Sequence, residues 1–116
     1  MIFVKEPIFF PMEELHPGIR IIKSTDEILK MELRAPHQSI AQITLQKFVG
    51  IENLIINSSK IFFIRIILLG KESELISRID ISSSYEQKIS ICKDVTKIII
   101  KTVASKEPQD LWLIKA

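Results

Sequence analysis

The stretch SKIFFIRIILLGKESELISRIDISSSYEQKISICKDVTKIIIKT, Ser59 to Thr102, decides how this chain is read. Ile61 to Leu69 is apolar at nearly every position. Phe62, Ile64, Ile66 and Leu68 occupy one face, and Ile61, Phe63, Ile67 and Leu69 share the other with Arg65. A strand apolar on both faces is central in a sheet, covered on both sides, or part of an interface. Gly70-Lys71-Glu72 is a hairpin turn. The return strand, Leu75 to Ile81, puts Leu75, Ser77, Ile79 and Ile81 on one face and Arg78 and Asp80 on the other.

The second half of the stretch predicts a helix. Ser84 with Gln87 three residues later fits a capping box. At 100° per residue, Ile89, Ile91, Cys92, Val95, Ile98, Ile99, Ile100 and Val103 spread over an arc of roughly 200°, and Lys93, Lys97 and Lys101 fall opposite them. An arc wider than the usual stripe means that the helix sits deep in a curved sheet or that one flank meets a partner. Pro108 ends the segment, and Leu111-Trp112-Leu113-Ile114 forms a short apolar tail.

Upstream, strands are expected at Gly18 to Lys23, Ile28 to Arg34, Ile40 to Gln46 and Leu54 to Asn57. The period of two is clearest where Leu29, Met31 and Leu33 alternate with Lys30, Glu32 and Arg34. Pro7 and Pro11 bracket Ile8-Phe9-Phe10, which confines any strand there to an edge. The sum is an α+β fold: a curved antiparallel sheet of six to eight short strands, like a pleckstrin-homology half barrel, closed by one C-terminal helix. No linker or repeat divides residues 1–116, so one domain is expected.

Composition narrows the function. The chain has 116 residues, 47% of them hydrophobic, and a net charge of +2. A sequence pI near 8.7 is only mildly basic, and acids and bases are interleaved, so nucleic-acid binding is disfavoured. The single cysteine, Cys92, allows no internal disulfide; as part of the apolar arc it reads as a small buried hydrophobe. The N-terminus lacks signal-peptide features, and no apolar run approaches the ~20 residues that span a bilayer. The expectation is a cytoplasmic protein, or a stromal one if plastid-derived.

No residue pattern carries chemistry. His16 and His37 both adjoin prolines in turns, without a nucleophile or a converging ligand set beside them. Three glycines in total leave no phosphate cradle. The expectation is no enzyme, no cofactor and no metal. The candidate contact residues are Phe63, Arg65, Ile67 and Ile98, the lysines Lys93, Lys97 and Lys101, and Trp112. Trp112 either packs back over the sheet or anchors a partner. Arg65 is either an edge charge against aggregation or an interface residue.

The segments IAQITLQKFVGIENLII, KIFFIRIILLGKESELISRID and SSYEQKISICKDVTKIII, spanning roughly residues 40–100, resemble the soluble C-terminal half of the photosystem I assembly protein family of cyanobacteria and plastids. That family has an apolar strand, a glycine turn, a returning strand and then a Ser- or Pro-led helix. Its two N-terminal membrane helices have no counterpart here, and its Pro-Leu-Thr-Arg stretch is matched only by Ile76-Ser77-Arg78. The resemblance implies a soluble relative or a shared architecture, and no functional residues. The leading expectation is a non-enzymatic protein-binding module, an assembly or scaffolding factor for a photosynthetic complex, with a homodimer through strand Ile61–Leu69 as one mode of contact. The alternative is a small regulator or inhibitor that binds an acidic protein surface or nucleic acid through the lysine stripe of the helix.

Overall fold

Along residues 97–104, Ile98, Ile100, Thr102 and Ala104 are buried, while Lys97, Ile99, Lys101 and Val103 are half-buried. That strict period of two belongs to a strand and corrects the helix expected there. The computed structural model describes residues 12–15, 18–25, 27–35, 39–46, 53–58, 63–82 and 86–115, and among them no helix occurs. The α+β expectation gives way to an all-β fold. Of the proposed capping box, Gln87 begins a strand, whereas Ser84 lies outside the described residues, as do His16, His37, Ile61, Phe62 and the segment around Pro7.

Among the described residues ten strands follow one another: β1 (Met12–Leu15), β2 (Ile19–Ser24), β3 (Ile28–Leu33), β4 (Ser39–Gln46), β5 (Asn53–Ser58), β6 (Ile64–Leu69), β7 (Leu75–Ile81), β8 (Gln87–Ser90), β9 (Lys97–Ala104) and β10 (Gln109–Lys115). They form two five-stranded antiparallel sheets. One has the order β1-β4-β9-β6-β7, centred on β9; the other has the order β2-β3-β10-β5-β8, centred on β10. The last eight strands pair from the outside inward: β3 with β10, β4 with β9, β5 with β8 and β6 with β7. That nesting, split over two sheets, is the jelly-roll arrangement. The added strands β1 and β2 extend one edge of each sheet. The half barrel expected from the sequence is therefore a two-sheet sandwich, and the apolar tail is the middle strand of one sheet.

The local chemistry favours this outcome. Val95, Ile98, Ile99, Ile100, Thr102 and Val103 are β-branched and lose less rotamer freedom on a pleated surface than on a helix. Between β8 and β9 the chain turns, with Val95 N–H donating to Cys92 C=O at 3.1 Å and Thr96 N–H to Leu69 C=O at 2.9 Å. Ile91 and Val95 are buried there and pin the connection to the core, whereas Cys92 is exposed. Cys92 is thus a surface thiol, contrary to its placement in an apolar arc.

One cluster fills the space between the sheets. Ile43, Ile64, Ile66, Ile98 and Ile100 enter from the β9 sheet, and Leu29, Met31, Leu54, Ile56, Leu111 and Leu113 from the β10 sheet. Each such side chain contributes about 1.5–3 kcal/mol on burial. Strand β6 pairs with β9 on one side and β7 on the other, so it has no open edge for a homodimer to extend. Thr102, buried in β9, donates its hydroxyl to Phe63 C=O at 2.7 Å.

Candidate functional site: the outer face of the β9 sheet

The residues that alternate away from the core on β4, β6, β7 and β9 line up in rows across the sheet. Ile40 pairs with Val103. Gln42, Lys101, Arg65 and Asp80 form the next row, and Thr44, Ile99, Ile67 and Arg78 the one after it. Lys97 then stands opposite Leu69. Phe63 precedes β6 on this side, and the Arg65 guanidinium lies 5.5 Å from its ring centroid. Ile40 at 69% and Phe63 at 38% exposure are large apolar groups left open to solvent.

Charge on these strands is one-sided. Arg65 Nε donates to Asp80 Oδ1 at 2.9 Å and its Nη2 to Oδ2 at 3.3 Å. Arg78 Nη2 reaches Asp80 Oδ2 at 3.4 Å. The hydrogen bond and the charge of Arg65, with Arg78 adding to them, hold the Asp80 carboxyl below the usual aspartate range against some desolvation. Asp80 raises the Arg65 pKa by the same contacts. Asp80 is therefore shared by two arginines. Lys97 and Lys101 have no acidic partner among the described residues. Lys101 faces Arg65 directly across the ladder, and like charges in that position repel.

Five of the eight expected contact residues meet on this face: Phe63, Arg65, Ile67, Lys97 and Lys101. The other three do not. Ile98 is fully buried in the core and cannot touch a partner. Lys93 sits in the exposed turn between β8 and β9, so the three-lysine stripe does not exist as such. Trp112 projects from β10 on the opposite sheet, where the Lys30 ammonium lies 4.4 Å from its ring centroid. Sequence reading placed Ile99 and Val103 in a helical apolar arc and so missed them as outward residues of a strand; the signal available was their phase with Lys97 and Lys101.

Elsewhere the surface is less distinctive. An open cleft of about 230 Å³ is lined by Gly18, Ile19, Arg20, Glu32 and Arg34, and Arg20 is bonded across it to Glu32 at 3.3 Å. No group of three or more His, Cys, Asp or Glu side chains placed to hold a metal occurs among the described residues. No helix among them is long and apolar enough to cross a membrane.

The resemblance to the photosystem I assembly family placed a helix on residues 83–100. That stretch holds β8 and the start of β9, and a photosynthetic role is not carried forward. No family model matches the chain. No curated protein matches it either. Solved structures with a similar course include a chain from the crystal structure of accessory secretory protein 1, 2 and 3 in Streptococcus pneumoniae, at 6% identity and TM-score 0.49 over 98% of this chain and 99% of that one. TmCBM61 in complex with β-1,4-galactotriose aligns at 6% identity and TM-score 0.48 over 86% of this chain and 90% of that one. CsCBM6-3 from Clostridium stercorarium in complex with cellobiose aligns at 13% identity and TM-score 0.45 over 87% and 83%. At this level of similarity none of the three assigns a function to the chain.

Proposed function

We propose that this chain is a non-enzymatic protein-binding module, with an assembly or scaffolding role, that holds its partner on the outer face of the β9 sheet. One observation carries the reading: Lys97 and Lys101, without acidic partners among the described residues, flank Ile99 beside Ile67, Arg65 and Phe63 on a single face. Apolar side chains mixed with arginine and an aromatic ring are the composition of protein interfaces. Nucleic acid fits less well, because half of these positions are apolar and the whole chain carries a charge of only +2.

The test is a pair of charge reversals on opposite faces. Lys97→Glu/Lys101→Glu alters the β9 sheet, and Lys30→Glu/Lys88→Glu alters the β10 sheet. Co-purification from the native host should lose the same partner with the first variant and keep it with the second. Equal retention by both variants removes this face from the function.

A second reading rests on Trp112. Its indole lies outward between Lys30 and Asn57 in one row of the β10 sheet, where an aromatic ring beside polar groups suits a saccharide. Lys30 already occupies one approach to the ring, which places this reading second. Titration with oligosaccharides should then change tryptophan fluorescence, and unchanged emission across a broad panel ends it.

A further inference from the structure

The outer face of the β9 sheet is patterned along the strands as well as across them. On β9 the outward sequence is Lys97, Ile99, Lys101. On β6 the matching positions are Leu69, Ile67 and Arg65. Two cations, Lys101 and Arg65, stand side by side at one level. Two isoleucines, Ile99 and Ile67, stand at the next. Lys97 stands beside Leu69 at the third. Levels are about 6.7 Å apart, so Lys97 and Lys101 are separated by about 13 Å along the strand.

We infer, building on the protein-binding reading above, that β9 and β6 dock an extended acidic segment of a protein partner with the pattern acidic–x–apolar–x–acidic. An extended chain repeats its side-chain direction every two residues. Its residues i, i+2 and i+4 therefore present themselves on one side at the same 6.7 Å interval as the three levels, taking about 3.3 Å per residue. The first carboxylate sits over Lys101 and Arg65, the apolar side chain over Ile99 and Ile67, and the second carboxylate at Lys97. A helix spreads the same five residues over only about 6 Å and cannot reach both ends.

The charges of the free protein support this occupant. Arg65 and Lys101 repel each other across the ladder, and Asp80 is bonded to Arg65 and Arg78 but not to Lys101. Among the described outward positions of β6, β7 and β9, four cations, Arg65, Arg78, Lys97 and Lys101, face one acid, Asp80. The acids Glu72 and Glu74 sit in the β6–β7 turn, where Glu74 Oε1 accepts the Glu72 N–H at 2.9 Å. A carboxylate arriving at Lys101 and Arg65 offsets the repulsion there through charge-assisted hydrogen bonds.

The probe is a fluorescently labelled nine-residue Ser/Thr-rich peptide with Glu at its third and seventh positions and Leu at its fifth. Its control carries the second Glu at the sixth position, which turns the two acids to opposite sides of an extended chain. Anisotropy titrations should show the in-phase peptide binding at least tenfold more tightly than the control. Binding should weaken as salt rises and disappear in Lys97→Glu/Lys101→Glu, whose fold is verified by its denaturation midpoint. Equal binding of both peptides, or none, overturns the inference, as does tighter binding of a single-stranded oligonucleotide through the same lysines. If the peptides fail while host co-purification still depends on Lys97 and Lys101, the binding-module reading stands and only the extended acidic segment falls.

Discussion

Arg65 on β6 and Asp80 on β7 face each other in register and meet at two points, Nε to Oδ1 at 2.9 Å and Nη2 to Oδ2 at 3.3 Å. The contact is exposed, so its value to folding is small, but its pH signature is defined. Asp80 has its pKa lowered in the folded chain. A group with a depressed folded pKa adds stability above the ordinary aspartate value of about 3.9, and that stability is lost as pH falls through the lower folded value. Urea denaturation should find Asp80→Asn less stable than the wild type at neutral pH, with the gap closing in strong acid. A gap that stays constant with pH contradicts the assignment.

Strand alternation in β9 separates two neighbours that look alike in sequence. Ile100 is fully buried and pairs with Ile43 and Ile66, while Ile99 points outward. Ile100→Ala should cost about 2–5 kcal/mol, the range for a truncated core isoleucine. Ile99→Ala should cost under about 1 kcal/mol. Chemical denaturation of both variants decides the point, because on a helix with a broad apolar arc the two losses are similar.

The β6–β7 connection predicts a stabilising change. Ser73 has φ of 63°, in the left-handed region. Ser73 N–H donates to Gly70 C=O at 2.9 Å and Gly70 N–H to Glu74 C=O at 2.9 Å, the pattern of a three-residue hairpin loop whose last position prefers glycine. Ser73→Gly removes about 1–2 kcal/mol of steric cost, partly offset by the greater freedom of glycine in the unfolded chain. The variant should gain up to about 1 kcal/mol, read as a higher thermal midpoint. A drop in the midpoint contradicts the loop geometry.

Cys92 offers a direct probe of the β8–β9 turn. It is exposed, so a thiol reagent should modify it in the native protein nearly as fast as in denaturant and leave the fold intact. Slow modification that requires unfolding instead places the thiol in the core.

Much of the sandwich was legible in the sequence. The alternation in Ile28–Leu33, the two faces of Ile64–Leu69 and the Arg65–Asp80 side of the hairpin appear in the structure with the expected phase; Leu75 does not, because a register shift at Leu68/Leu69 sets it opposite Leu69 and leaves it exposed while Ile76 packs on the core. The helix failed for a specific reason. Lys97 and Lys101 are four residues apart, a spacing that returns to the same side both on a helix and on a strand. The neighbouring apolar residues then looked like a wide helical arc, although they are the buried and outward halves of one strand. The β-branched content of residues 95–103 was the signal that distinguished the two, and the apparent capping box at Ser84 outweighed it. The pairing of β9 with β4 and β6 spans most of the chain, and nothing local to Lys97–Ala104 encodes it. For that reason Phe63, Arg65 and Ile67 could be named as contact residues while their position beside Lys97 and Lys101 could not.

Photo-crosslinking from single positions tests the binding face most directly. A benzophenone amino acid placed at Ile99, on the outer face of the β9 sheet, should capture the partner in the native host. The same group at Ile55, on the outer face of the β10 sheet, should not. Capture from Ile55 and none from Ile99 contradicts the account and moves the contact to the Trp112 side.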